Sequence, residues 1–180
     1  MRIILNHFII NHKYLIMASK LKSLSSTEQY SFSNAKEYLV GIVVSEYHSD
    51  INNKLRDAAI KRLKNSGVPA KQIITVYAPG AYEIPLAARW LFDSDDFDAI
   101  ICLGCVIKGD TEHDFYINDA VAKQLLKMGV DDDAPYVLGV LTVNNLQQAL
   151  DRSGGKLGNK GDECALAALK MLDLRDHLAS

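Results

Sequence analysis

The residues with chemistry to offer gather in four short stretches. One of them, Gly104-Cys105-Val106-Ile107-Lys108-Gly109-Asp110-Thr111-Glu112-His113-Asp114, runs from an apolar strand through a glycine turn into a helix start. Unpaired backbone N–H groups and the positive dipole end of a helix attract anions there, phosphate above all. With Thr111 as N-cap, Asp114 stands three residues on in a capping-box-like arrangement, and His113 lies in the first turn. The positive helix end disfavours imidazolium, so a neutral His113 beside a bound anion is placed to move protons. A histidine on a wet helix end fits the same residues, and they alone leave both readings open.

Tyr47, an aromatic in the polar turn Glu46-Tyr47-His48-Ser49-Asp50, suits stacking on a planar ligand, although an exposed turn tyrosine looks the same in sequence. Gly80-Ala81-Tyr82-Glu83 combines small residues that expose backbone polar groups with a carboxylate at a helix start, which is also where a capping glutamate sits. The last stretch offers Arg152, Lys156 and Lys160 around Gly154-Gly155-Lys156-Leu157-Gly158-Asn159-Lys160-Gly161. Lys160 directly before a helix opposes the dipole, a conflict that an anion would relieve; an ordinary surface lysine is the plainer alternative. The order Gly-x-x-x-x-Gly-Lys-Ser/Thr is absent, and no Gly-x-Gly-x-x-Gly follows the first strand, which argues against a P-loop and against a dinucleotide fold.

These stretches need elements to position them, and the hydrophobic pattern supplies four strands. Residues 38–45 form a continuous apolar run of the buried parallel type, and 72–77, 99–107 and 136–142 repeat it. Between them lie helices: one with Ile51, Leu55, Ala58, Ala59 and Leu63 on one face and stopped by Gly67, and a short one with Pro85 near its start. A third presents Ile117, Val121 and Leu125 inward. Asn144-Asn145 caps a fourth, ending at Gly154-Gly155, and a final helix from about Gly161 buries Leu166, Leu169 and Leu172. Strict alternation predicts an α/β fold, a three-layer αβα sandwich of flavodoxin-like type with a four-stranded parallel sheet. In such sheets ligands bind beyond the carboxyl ends of the strands, where all four stretches fall.

One hundred and eighty residues suit a single domain, and 48% hydrophobic with 23% charged residues is ordinary globular composition. A formal charge of −2 argues against a nucleic-acid surface. The three cysteines sit in apolar surroundings, which suggests a reducing compartment. Cys102-Leu103-Gly104-Cys105 lies inside a strand, where positions i and i+3 point to opposite faces, so it reads as two structural cysteines rather than a redox or zinc pair. Asp131-Asp132-Asp133 reads as a solvated loop, since three consecutive carboxylates cannot converge on one ion. Residues 1–36 read as a flexible lead-in ahead of a domain over 37–180. Residues 1–16 look foreign to the fold and form no clean signal-peptide core, and Met17-Ala18-Ser19 reads like a natural start.

The motifs resemble a known family, the 6,7-dimethyl-8-ribityllumazine synthases, transferases of riboflavin biosynthesis. The resemblance rests on Pro79-Gly80-Ala81-Tyr82-Glu83-Ile84-Pro85, the stretch from Gly104 to His113, Gly139-Val140-Leu141-Thr142, and Asp151-Arg152-Ser153-Gly154-Gly155 with Gly158-Asn159-Lys160-Gly161. It implies condensation of 5-amino-6-(D-ribitylamino)uracil with 3,4-dihydroxy-2-butanone 4-phosphate, with loss of phosphate and water and with no metal or redox cofactor. It places Tyr47 against the pyrimidinedione, Ala81, Tyr82 and Glu83 along the ribityl and ring site, and the backbone of Cys105, Val106 and Ile107 on the uracil. Asp110 and Thr111 would bind the phosphate with Arg152 as its charged partner, and His113 would transfer protons. Lys160 is carried over with the catalytic residues, Glu163 with the substrate-binding ones, and Leu138 stands where the family usually has a ring-packing Phe. Tyr47 replaces the usual Phe or Trp, and His48 the usual Asn. The resemblance further implies a cytoplasmic homo-oligomer, a pentamer with sites between subunits and a 60-subunit shell, with room for a riboflavin synthase partner. An archaeal-type riboflavin synthase is disfavoured because it has no phosphate to hold. A flavin- or lumazine-binding shell protein without catalysis stays open through His48 and Leu138. An electron carrier of flavodoxin type would need a phosphate loop that the acidic Glu46–Asp50 turn does not supply.

Overall fold

The computed structural model describes residues 30–179. Residues 1–16, and the lead-in as far as residue 29, lie outside them. The four apolar runs form β1 (Val40–Ser45), β2 (Ile73–Ala78), β3 (Ala99–Ile107) and β4 (Tyr136–Val143). All pair in parallel, in the order β2-β1-β3-β4. Five helices accompany them: α1 (Ser49–Asn65), α2 (Ile84–Phe92), α3 (His113–Asp131), α4 (Leu146–Arg152) and α5 (Lys160–Ala179). This is the flavodoxin-like three-layer α/β arrangement that the alternation predicts.

The two central strands are apolar at every position except Ser45 because both of their faces are covered, and their period of two sorts the side chains into two cores. Val40, Ile42 and Val44 of β1, with Ala99, Ile101, Leu103 and Cys105 of β3, meet Leu55 and Leu63 of α1 and Leu166, Leu169 and Leu172 of α5. Val43, with Ile100 and Cys102, meets Ile84 and Leu91 of α2 and Val121, Leu125 and Met128 of α3 on the other side. Cys102 and Cys105 therefore belong to different cores, as their spacing in a strand requires. Cys102, Cys105 and Cys164 are all free and buried. Burial pushes the Cys105 and Cys164 thiols up to about 11, so neither is a nucleophile at neutral pH.

Several local expectations shift. The capping box at Thr111 does not form: α3 begins at His113 with Glu112 as its N-cap, and no side chain caps it. Glu112 lies outside the extended region that a side-chain cap requires, and its carbonyl instead accepts from Phe115 N–H. Asp132 is no solvated loop residue. It accepts from Tyr136 Oη at 2.8 Å and from Arg89 at 2.6 Å, and its side chain is only 11% exposed. Asn145 does cap α4, accepting from Gln148 N–H, but α4 ends at Arg152. The glycine-rich loop beyond folds into an antiparallel pair, β5 (Ser153–Gly155) with β6 (Gly158–Asn159). Two- and three-residue strands of this composition carry no periodic signal. Phe32 and Ala35, which the sequence reading put in the lead-in, pack into the α1–α5 core.

The start of α5 is held hard against α1. A Cβ at Gly161 would stand 1.9 Å from the Leu55 carbonyl oxygen, so only glycine permits this approach. Arg62 grips Asp162 through two bonds of 2.8 and 2.7 Å, and Asn159 Nδ2 donates to Lys54 O. The far end of α5 is tied as well: Asp176 accepts from Asn34 and Tyr38, and Arg175 bonds Asp98, which accepts Leu39 N–H.

Two outcomes are expected. Gly161→Ala should lose at least about 2 kcal/mol to overpacking despite the better helix propensity of alanine. A thermal melt that shows stabilisation would mean that the close α1–α5 approach is absent. The bonds from Asn34 and Tyr38 hold the Asp176 carboxyl below its usual range. A depressed carboxylate contributes stability above its unfolded value near 4, and that stability is lost as pH falls through the lower folded value. Asp176→Asn should therefore flatten the acid limb of the stability profile below about pH 4.

Candidate active site

All strand ends of a parallel sheet point one way, so the loops after β1, β2 and β3 meet at one edge. There they enclose a cavity of about 440 Å³. Tyr47 and His48 come from the first loop, Gly80, Ala81, Tyr82 and Glu83 from the second, Cys105, Val106 and Ile107 from the end of β3, Gly109 and Thr111 from the loop after it, and His113 from the start of α3. The loops are stitched together at their roots by Glu46 N–H to Ala78 O at 2.8 Å and Tyr47 N–H to Pro79 O at 3.3 Å. Across the next strand pair, Lys108 N–H donates to Val143 O.

The side chains around this cavity differ in what they offer. Tyr47 is 69% exposed, its ring edge-on to His48 at 4.6 Å. Cys105 is buried in the core, so its backbone is what it presents to the cavity. Ala81 is nearly buried and Tyr82 largely exposed. His113, at the first position of α3, is exposed. Thr111 lines the cavity, whereas Asp110 is exposed outside its lining.

The remaining predicted residues form a second cluster. Arg152 Nη1 and Nη2 donate to the two Glu163 oxygens at 2.9 and 2.8 Å, and Nη1 also donates to Leu157 O at 2.9 Å. Lys160 Nζ stands 3.7 Å from the same carboxylate, whose side chain is 8% exposed. Two cations around one buried anion leave a net positive charge. The end-on edge of the guanidinium is committed to Glu163, while its Nε–Nη2 edge retains two donors that bond no described residue. Leu138, 41% exposed, lies on the edge strand β4. None of Leu138, Arg152, Lys160 and Glu163 lines the cavity holding His113. Larger hollows elsewhere lack this character: one of about 550 Å³ between α2 and α3 is flanked by Arg89, already paired with Asp93 and Asp132.

Comparison with known proteins gives the family of the chain. The model of the family described as 6,7-dimethyl-8-ribityllumazine synthase matches residues 37–176. The chain belongs to the 6,7-dimethyl-8-ribityllumazine synthase family. Relatives carrying that name include proteins from Phocaeicola vulgatus, 40% identical over 90% of this chain and 96% of the relative, and from Bacteroides fragilis, 45% identical over 74% and 93%. A third, from Cytophaga hutchinsonii, is 44% identical over 87% of this chain and 98% of its own.

Membership puts the departures at Tyr47 and His48 in a physical light. His48 has φ 62° and ψ 44°, in the left-handed region where asparagine is well tolerated and most side chains are not. The Asn that the resemblance leads one to expect at this position would suit that backbone, and histidine is among the few other residues that adopt it. Sequence reasoning missed Asn52. It is fully buried in the first turn of α1 and donates to Ser45 O and Tyr47 O. Its signal was an amide on the apolar helix face beside Ile51 and Leu55. The backbone makes a prediction: His48→Asn should leave stability unchanged, while His48→Val should cost about 1–2 kcal/mol. Chemical denaturation of the two variants would check it, and equal stability would place the strain elsewhere.

Proposed function

We propose that this chain condenses 5-amino-6-(D-ribitylamino)uracil with 3,4-dihydroxy-2-butanone 4-phosphate to 6,7-dimethyl-8-ribityllumazine, releasing phosphate and water. The supporting observation is the strand-end cavity that gathers Tyr47, Ala81–Glu83, the 105–107 backbone, Thr111 and His113 in a chain of this family. The amine of the pyrimidine attacks the ketone and water leaves to give an imine. Phosphate is then eliminated, and the enol-type intermediate tautomerises to a ketone that the ribitylamino nitrogen attacks, closing the ring with loss of a second water. Holding both substrates together supplies much of the rate, because it makes a bimolecular step effectively intramolecular.

In this reading Tyr47 stacks on the pyrimidinedione, Ala81, Tyr82 and Glu83 line the ribityl and ring site, and the backbone of Cys105, Val106 and Ile107 meets the uracil edge. Thr111 and the start of α3 receive the phosphate, with Asp110 alongside. His113 carries protons between imine formation and elimination. Arg152, oriented by Glu163, presents its Nε–Nη2 edge to the phosphate and stabilises it as it leaves, with Lys160 adding charge.

That Leu138, Arg152, Lys160 and Glu163 do not line the cavity within one chain supports completion of the site by a neighbouring copy, which would bring them to it. Exposed apolar side chains on both outer edges fit such packing: Tyr77 and Trp90 near β2, and Leu126, Val130 and Leu138 near β4. A pentamer, twelve of which close a 60-subunit shell, is the assembly we propose. Among the described residues no helix is long and apolar enough to cross a membrane, and a cytoplasmic location, where a riboflavin synthase could take up the product, fits this reading.

The test is an absorbance assay of lumazine formation beside an enzyme-free control, since the condensation runs unaided. Arg152→Ala should raise the KM for the phosphate substrate about tenfold, the loss expected for one charge-assisted contact. His113→Ala should lower kcat about ten- to a hundredfold and leave activity above the control, because proximity survives. An unchanged KM in Arg152→Ala would remove the phosphate assignment.

A further inference from the structure

We infer that Asn52 is a positioning residue that sets the Tyr47 ring for the pyrimidine substrate. The inference rests on the stacking role proposed above for Tyr47. The turn between β1 and α1 is short of anchors: its N-cap residue, His48, makes no side-chain cap and holds a left-handed backbone. Tyr47 itself is tied by one long bond from its N–H to Pro79 O and by edge contact with His48. The Asn52 amide supplies what is missing. Its Nδ2 donates to Ser45 O at 2.8 Å and to Tyr47 O at 2.7 Å, while its own N–H donates to His48 O at 3.1 Å. The amide thus holds the carbonyls of Ser45 and Tyr47, while the main-chain N–H groups of Ile51 and Asn52 hold that of His48, and fixing the Tyr47 peptide plane constrains the direction in which its side chain leaves the backbone.

Two further observations single out these contacts. Two carbonyl acceptors demand the NH2 end of the amide, so the orientation of the group is set by its partners. The consequence is that Asn52 Oδ1, fully buried, has no hydrogen-bond partner among the described residues, and neither has Ser45 Oγ. An apolar side chain of the same size would remove the unpaired Oδ1 beside Ile51 and Leu55, but it would also take away the donors to the Ser45 and Tyr47 carbonyls. A fold that carries a buried unpaired acceptor to keep two donors on the turn has the mark of a positional requirement.

A double-mutant cycle on the full chain tests this, with the KM of each substrate, the assembly state and thermal stability measured together. Tyr47→Ala should raise the KM for the pyrimidine roughly three- to tenfold, the range expected for one ring–ring contact. Asn52→Leu should raise it to a similar extent, with the KM for the phosphate substrate unchanged, and the double variant should be no worse than Tyr47→Ala alone. Should Asn52→Leu fail to fold, Asn52→Ser, which keeps one hydroxyl donor, replaces it in the cycle with a smaller rise expected. A raised KM in Tyr47→Ala with an unchanged one at position 52, or additive effects in the double variant, overturns the role of Asn52 alone. An unchanged pyrimidine KM in Tyr47→Ala overturns the stacking role first, and the inference with it.

Discussion

A parallel sheet covered on both faces is the constraint from which the rest of this molecule follows. Its central strands have no face to offer water, so β1 and β3 are buried along nearly their whole length, apolar throughout except for Ser45, and helices must close both sides. Because the strands run the same way, their carboxyl ends, the turns that leave them and the starts of the following helices collect at one edge. Every residue of the candidate cavity comes from that edge. Chemistry is placed there by topology rather than by any one motif.

The second constraint is the buried carboxylate of Glu163. A charge at 8% exposure needs compensation, and Arg152 and Lys160 provide it. The same contact that neutralises Glu163 also freezes the guanidinium, leaving one pre-oriented edge. Where α5 begins is set in turn by Gly161 against the Leu55 carbonyl and by Arg62 gripping Asp162, so the geometry around Lys160 depends on the packing of α1 against α5. Core packing and candidate site are in this sense one structure. A change at Gly161 should be felt by both.

Much of the fold was legible in the sequence, because its signals are local and periodic. The apolar runs, the helical face of Leu55 and Leu63, the stop at Gly67 and the opposite-facing cysteines follow from periods of 2 and 3.6 residues. What failed had one local and one tertiary origin. Thr111 and Asp114 have the spacing of a capping box, but the backbone at Glu112 does not adopt the required conformation. Asp132 looked solvated because its partners, Arg89 and Tyr136, are brought to it by the packing of α2, α3 and β4.

By itself, then, the sequence determined the alternation of elements, the face each helix buries and the set of reactive residue types, since each depends on neighbours along the chain. Only the tertiary structure decided how those residues group. It gathered Tyr47, Ala81 and His113 around one cavity and drew Arg152, Lys160 and Glu163 into a separate cluster. It also gave Asn52 its place beneath the Tyr47 turn. Pairings of this kind depend on distances between segments far apart in the chain, which sheet order and helix packing set and which no local spacing encodes.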